Sequence, residues 1–269
     1  MKKILFTIFT MFAFAIATNA HEFTKCSLDA GVELNANYLF RGNVLGGLSV
    51  QPWVEFTSYG FTLGAWGSYG SGTYDNFTDN STNKELDLFL SYTTPGDYVT
   101  LKVTHFYYFD GSQFFNYSYD KEKYGSSQTE VMAEIKPSSD YPFILSTNVQ
   151  VGGGDCLGYD TTYMDNYGKQ WTTYISLRYE LEIDNWYIEP EIGFSPWKSN
   201  YTYFDPDSNT HAKFALNNIS CKVNYNFFTN DYVNMYALAH VHFNLFDVGY
   251  EKFEYKKNFG WNVGLGFTF

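Results

Sequence analysis

From Leu28 to Arg41 apolar and polar residues alternate without a break. Leu28, Ala30, Val32, Leu34, Ala36, Tyr38 and Phe40 fall on one face, and Asp29, Glu33, Asn35, Asn37 and Arg41 on the other. A period of two predicts an extended strand, because a helix would scatter both sets around its circumference. The segment from Phe259 to Phe269 repeats the pattern, with Phe259, Trp261, Val263, Leu265, Phe267 and Phe269 opposed to Gly260, Asn262, Gly264, Gly266 and Thr268. Ten further strands are expected between them, at 48–57, 61–69, 84–92, 98–109, 128–136, 143–151, 170–180, 186–195, 214–227 and 232–244. Connections alternate in length. Those at 58–60, 93–97, 137–142, 181–185 and 228–231 are short, whereas 110–127, 152–169, 196–213 and 245–258 are long and rich in Gly, Asn, Asp, Ser and Tyr. The pattern predicts an antiparallel meander with short turns at one end and long loops at the other.

Alternation alone does not say which face points inward. Strands of about ten residues suit a tilted bilayer crossing, whereas globular strands average about five or six. The apolar face is expected to end in interfacial aromatics: Tyr38, Phe40, Trp53, Phe56, Tyr107, Phe109, Trp171, Trp186, Phe194, Phe259 and Phe269. A chain in lipid must satisfy every backbone polar group internally, and a closed sheet does so. The expectation is therefore an all-β fold: a closed, antiparallel, up-and-down transmembrane β-barrel of about 12 strands, with long extracellular loops and short periplasmic turns.

Composition narrows this further. The chain has 269 residues, including 25 Tyr, 26 Phe and 6 Trp. No segment after the N-terminal stretch is apolar enough for a transmembrane helix. Residues 1–20 read as a cleaved signal peptide, with Lys2 and Lys3, an apolar run from Ile4 to Ala17, and small residues leading to Ala20. Residues 21–269 form the expected barrel. A net charge of −12 makes nucleic acid an unsuitable partner. Cys26, Cys156 and Cys221 lack the spacing of a zinc or redox motif, and no disulfide framework is expected.

The opening segments Ala36-Asn37-Tyr38-Leu39-Phe40-Arg41-Gly42, Ser49-Val50-Gln51-Pro52, Gly60-Phe61-Thr62-Leu63-Gly64-Ala65-Trp66-Gly67-Ser68 and Glu85-Leu86-Asp87-Leu88 resemble those of the TorF-type porin family of bacterial outer-membrane proteins. The resemblance covers residues 36 to about 108. Beyond that, strand rhythm and the terminal Phe269 agree, while Asn43-Val44-Leu45-Gly46-Gly47 departs from the polar loop of the family. It implies a barrel in the outer membrane of a Gram-negative bacterium and no catalytic residues.

The polar faces would place ten acids in the bore (Asp29, Glu33, Glu55, Glu85, Asp87, Glu130, Glu134, Glu180, Glu189 and Glu191) and five bases (Arg41, Lys102, Lys136, Arg178 and Lys222). Counting from the short turns sets Lys102 level with Glu134, Arg178 near Glu189 and Lys222 near Glu191. Arg41 is expected at the rim, paired with a neighbouring acid. The candidate lumen residues are thus Glu33, Arg41, Lys102, Glu134, Arg178, Glu189, Glu191 and Lys222. Either they satisfy charge in a nearly filled barrel, or unpaired carboxylates make a cation-favouring constriction, since twelve strands lie between filled and open barrels.

His240 and His242 point the same way, into the lumen, without a third ligand for a metal. His105 falls on the apolar face as an interfacial residue. Asp205-Pro206-Asp207-Ser208-Asn209 offers alternate oxygens but lacks the glycine and distal glutamate of a calcium loop. No His-x-Ser pair occurs, and no enzyme, cofactor or metal is expected. The expected function is passive passage of small neutral or cationic solutes; the alternative is a non-conducting structural or surface-interaction barrel whose loops meet external partners. Expected partners are outer-membrane lipid, small solutes, and the outer-membrane assembly machinery through the strand ending in Phe269.

Overall fold

A computed structural model describes residues 26–71, 82–109, 113–117, 119–120, 123–124, 127–138, 142–153, 171–197, 204–205, 210–211, 214–244 and 259–269. Twelve strands build the wall: β1 Cys26–Asn35, β2 Ser49–Ser58, β3 Phe61–Ser71, β4 Thr82–Thr93, β5 Val99–Tyr108 and β6 Ser127–Ile135 make one half. The other half is β7 Phe143–Gly152, β8 Thr173–Tyr179 continued by Leu181–Ile183, β9 Trp186–Ser195, β10 Ala215–Thr229, β11 Asn234–Phe243 and β12 Phe259–Thr268. Each pairs antiparallel with its neighbours in sequence, and β1 pairs with β12 from Gly31↔Thr268 to Asn35↔Gly264. The sheet therefore closes on itself and has no free edge.

Short connections gather at one end. Tyr59 and Gly60 both have positive φ (53° and 79°), as a two-residue turn matching the strand twist requires. At another turn Asn230 Oδ1 accepts from the backbone N–H groups of Tyr232 and Val233 at 2.8 Å each. The strand ends that lead into the predicted long loops lie at the opposite end; most residues of those loops, with the expected signal peptide, Cys156 and the Pro206–Asn209 segment, fall outside the described residues.

Outward positions are apolar and exposed: Leu28, Val54, Leu63, Leu90, Val103, Leu145, Ile192, Val263 and Leu265 among them. Inward positions are mostly polar, and several large side chains there lie flat along the wall against a glycine on the next strand. A Cβ on Gly64 would meet the Phe89 ring at 2.2 Å, one on Gly193 the Tyr174 hydroxyl at 2.0 Å, and one on Gly260 the His242 imidazole at 2.2 Å. Laying rings along the wall leaves space on the axis. An apolar exterior and a polar bore are the arrangement by which a sheet crosses a bilayer.

The course of the first strand differs from the expectation. The first strand does not run to Arg41; it ends at Asn35, and residues 38–40 and 43–46 form a separate two-stranded hairpin. Tyr38 and Phe40 therefore do not face lipid. Trp53 also lines the bore, sharing parity with Gln51 and Glu55 on β2.

Candidate functional site

The chain leaves the wall at Asn37, which is fully buried. Its backbone N–H donates to Asn262 Oδ1 at 3.0 Å and its Nδ2 to the Trp261 carbonyl at 3.0 Å, while Asn262 Nδ2 donates to Asn35 Oδ1 at 2.7 Å. These bonds serve the part of β12 where β1 has peeled away. The hairpin then runs into the barrel and turns at Arg41-Gly42, whose φ values of 47° and 80° reproduce the Tyr59-Gly60 geometry. It rejoins the wall where Gly47 N–H donates to the Ser71 carbonyl at 3.1 Å.

The tip reaches the far wall. Arg41 makes two parallel bonds to Glu130 on β6, Nη1 to Oε2 at 2.6 Å and Nη2 to Oε1 at 2.7 Å. Both side chains are almost fully buried, with 11% and 6% of their surface exposed. Paired bonds between a planar guanidinium and a carboxylate fix orientation as well as distance. Gln150 on β7 adds Nε2 to Glu130 Oε2 at 3.1 Å. The guanidinium also lies over the Tyr174 ring on β8, 5.0 Å from its centroid, and over Phe40 at 4.6 Å. At Gly42 a Cβ would sit 1.9 Å from the Asn217 carbonyl oxygen on β10, so only glycine allows this approach. In a ring of twelve, β6, β7 and β8 stand opposite β1. Arg41 is paired with an acid as expected, and its partners lie near the long-loop ends of their strands, but the acid is across the bore and not a neighbour.

Beside the hairpin the bore holds two chambers of about 300 Å³ each. Phe40, Trp66 and Asp87 border both. The first chamber lies against β10–β12 and β1 and holds Glu33, Lys222 and His240. The second lies against β2–β7 and holds Trp53, Glu55, Lys102 and Glu130.

The remaining candidates fall into three settings. Toward the short turns Arg178 sits among three carboxylates, 2.6 Å from Glu134, 3.8 Å from Glu189 and 3.9 Å from Glu180, and Lys136 is 3.4 Å from Glu180. The expected proximity of Arg178 to Glu189 holds, with Glu134 the nearer partner. Lys222 does not pair with Glu191. It pairs with Glu33, 3.6 Å away and three strands round the wall, and Glu33 also accepts from Tyr236 Oη at 2.7 Å. Glu191 instead accepts from the Tyr174 hydroxyl and from Asn218 Nδ2 at 3.1 Å. Lys102 lies opposite Met132, not Glu134. Among the described residues it forms no ion pair, and its ammonium rests 3.8 Å from the centroid of Phe89.

His240 and His242 both face the bore, with ring centroids 6.3 Å apart. Among the described residues no group of three or more His, Cys, Asp or Glu is placed to hold a metal ion. His105 faces outward as expected, yet it is buried beneath Phe114, Phe115 and Tyr117, and its Nδ1 bonds the Tyr117 hydroxyl at 2.7 Å.

No known family profile matches the sequence, and no curated protein matches it. Several solved structures align with it at low similarity. A chain from a study of the in-meso crystallization of membrane proteins aligns with 11% identity and a TM-score of 0.43, over 90% of this chain and 83% of that one. The outer membrane phospholipase of Salmonella typhi, solved as a dimer with bound calcium, aligns at 12% identity and a TM-score of 0.36, over 94% and 96%. An active-site mutant of the Escherichia coli outer membrane phospholipase A aligns at 13% and 0.36, over 95% of each chain.

Proposed function

We propose that the protein resides in the outer membrane of a Gram-negative bacterium and gives slow, passive passage to small neutral or cationic solutes. The observation that carries this is the bore itself. It is polar and acid-rich, and beside the hairpin it retains two chambers of about 300 Å³ where a structural barrel would be filled by side chains. Export, insertion through the strand ending in Phe269, and membership of the TorF-type porins belong to the same proposal. Glu55 and the Glu33 region supply negative potential along the route, which favours cations over anions.

A second reading has its own observation. The hairpin bonded to the far wall is also the geometry of a plug, and a barrel so plugged serves as a scaffold for its loops. Purified protein in planar bilayers separates the two. The proposal expects small, steady, cation-selective steps, and swelling of protein-loaded liposomes in small sugars. A silent barrel, or one preferring anions, would contradict it and favour the scaffold.

A further inference from the structure

The two chambers differ in what lines them, and the difference names a solute class. Trp53 and Trp66 are direct cross-strand partners on β2 and β3, and both face the second chamber. Phe89 and Phe106 also border it but are buried, at 8% and 7% exposure, so the apolar surface open to a solute is that of the two half-buried indoles. Rings bordering an aqueous bore are unfavourably hydrated unless an apolar surface meets them. Two carboxyl groups border the same chamber, Glu55 and Asp87, and Asp87 is hydrogen-bonded to Glu85. The fixed cations there are already engaged: Arg41 by Glu130, and Lys102 by the Phe89 face.

We infer that the second chamber is a binding subsite for a hydroxylated ring, a small sugar, whose C–H face covers the paired indoles while its hydroxyls donate to Glu55 and hydrogen-bond with the Asp87 carboxyl. A sugar combines an apolar face with donors at its edge, which is what this wall lacks. An organic ammonium would meet the rings but compete with Lys102, which already occupies Phe89. The volume stands at the lower end of small-molecule sites. The first chamber has no comparable pair of indoles, and its Lys222 and His240 make a poorer platform. Because Phe40, Trp66 and Asp87 border both chambers, a solute bound at Trp66 lies at the boundary between them.

This inference rests on the bore admitting solutes, but binding and conduction fail separately. The full chain, folded in detergent micelles, is titrated with D-glucose, maltose and tetramethylammonium chloride, following tryptophan fluorescence and equilibrium dialysis. Saturable sugar binding is expected, weakened roughly tenfold in Trp53→Ala and in Trp66→Ala and reduced in Asp87→Asn. The outward Trp261→Phe should bind as the parent does. Each variant is first shown to be a folded barrel by its heat-modifiable gel migration; because Trp66 touches Tyr38 of the hairpin, Trp53→Ala is the deciding variant. Sugar binding without conductance supports the subsite and defeats the porin reading alone. Conductance without saturable sugar binding, binding of tetramethylammonium in its place, or binding indifferent to Trp53 overturns the inference.

Discussion

The wall and the hairpin inside it are both antiparallel sheet, yet they are held in different ways. Each wall strand is fixed by a ladder on both sides, ten paired residues between β1 and β2 and ten between β11 and β12. The hairpin has three paired positions of its own. It depends on Asn37 where it leaves the wall and on Arg41 where it lands. Closure spreads the register of the wall over many backbone bonds, whereas the position of the hairpin hangs on very few side chains. A barrier built this way can be altered without disturbing the barrel that carries it.

Replacing residues 36–48 by Asn-Gly should have the largest effect. Asn35 and Ser49 are direct partners, so a two-residue turn can join them. Single-channel conductance should rise several-fold with the barrel still folded. Next comes Arg41→Ala, which leaves Glu130 buried without its cation, a change worth about 3–5 kcal/mol. The hairpin should undock, giving higher and noisier conductance. The wall is probed by Leu265→Arg, which sets a charge in mid-strand on the outer face at a cost of about 2–4 kcal/mol. Urea unfolding in lipid vesicles should report that loss, while the conductance of the folded fraction stays unchanged. The smallest effect is expected for Lys222→Met, because the half-buried pair with Glu33 is worth at most about 1 kcal/mol. Cation preference in reversal-potential measurements should increase slightly as one positive charge leaves the first chamber.

The wall was legible because a period of two states both the element and its buried face. Short turns were legible for a related reason: Tyr59-Gly60 and Asn230-Asp231 carry residues suited to tight turns. The hairpin was not, because alternation continues through it; Tyr38 and Phe40 keep the parity of β1 after the chain has left the sheet. The available signal was Arg41-Gly42, a residue followed by glycine as in Tyr59-Gly60. Trp53 could have been read correctly, since it shares parity with Glu55. The pairing of Lys222 with Glu33 could not, because contacts between non-adjacent strands depend on the stagger and curvature of the closed sheet. Arg41 and Glu130 are separated by half the barrel, and counting along either strand does not bring them together.

The fastening of the first connection's tip to the opposite wall rests on Arg41 and Glu130. Its most direct test is conductance of Arg41→Glu, Glu130→Arg and the double exchange, recorded in the same bilayers. Each single change places like charges face to face and should raise conductance; the double exchange should bring it back toward the parent value. Singles that conduct as the parent does, or a double exchange no closer to it than either single, would contradict the account.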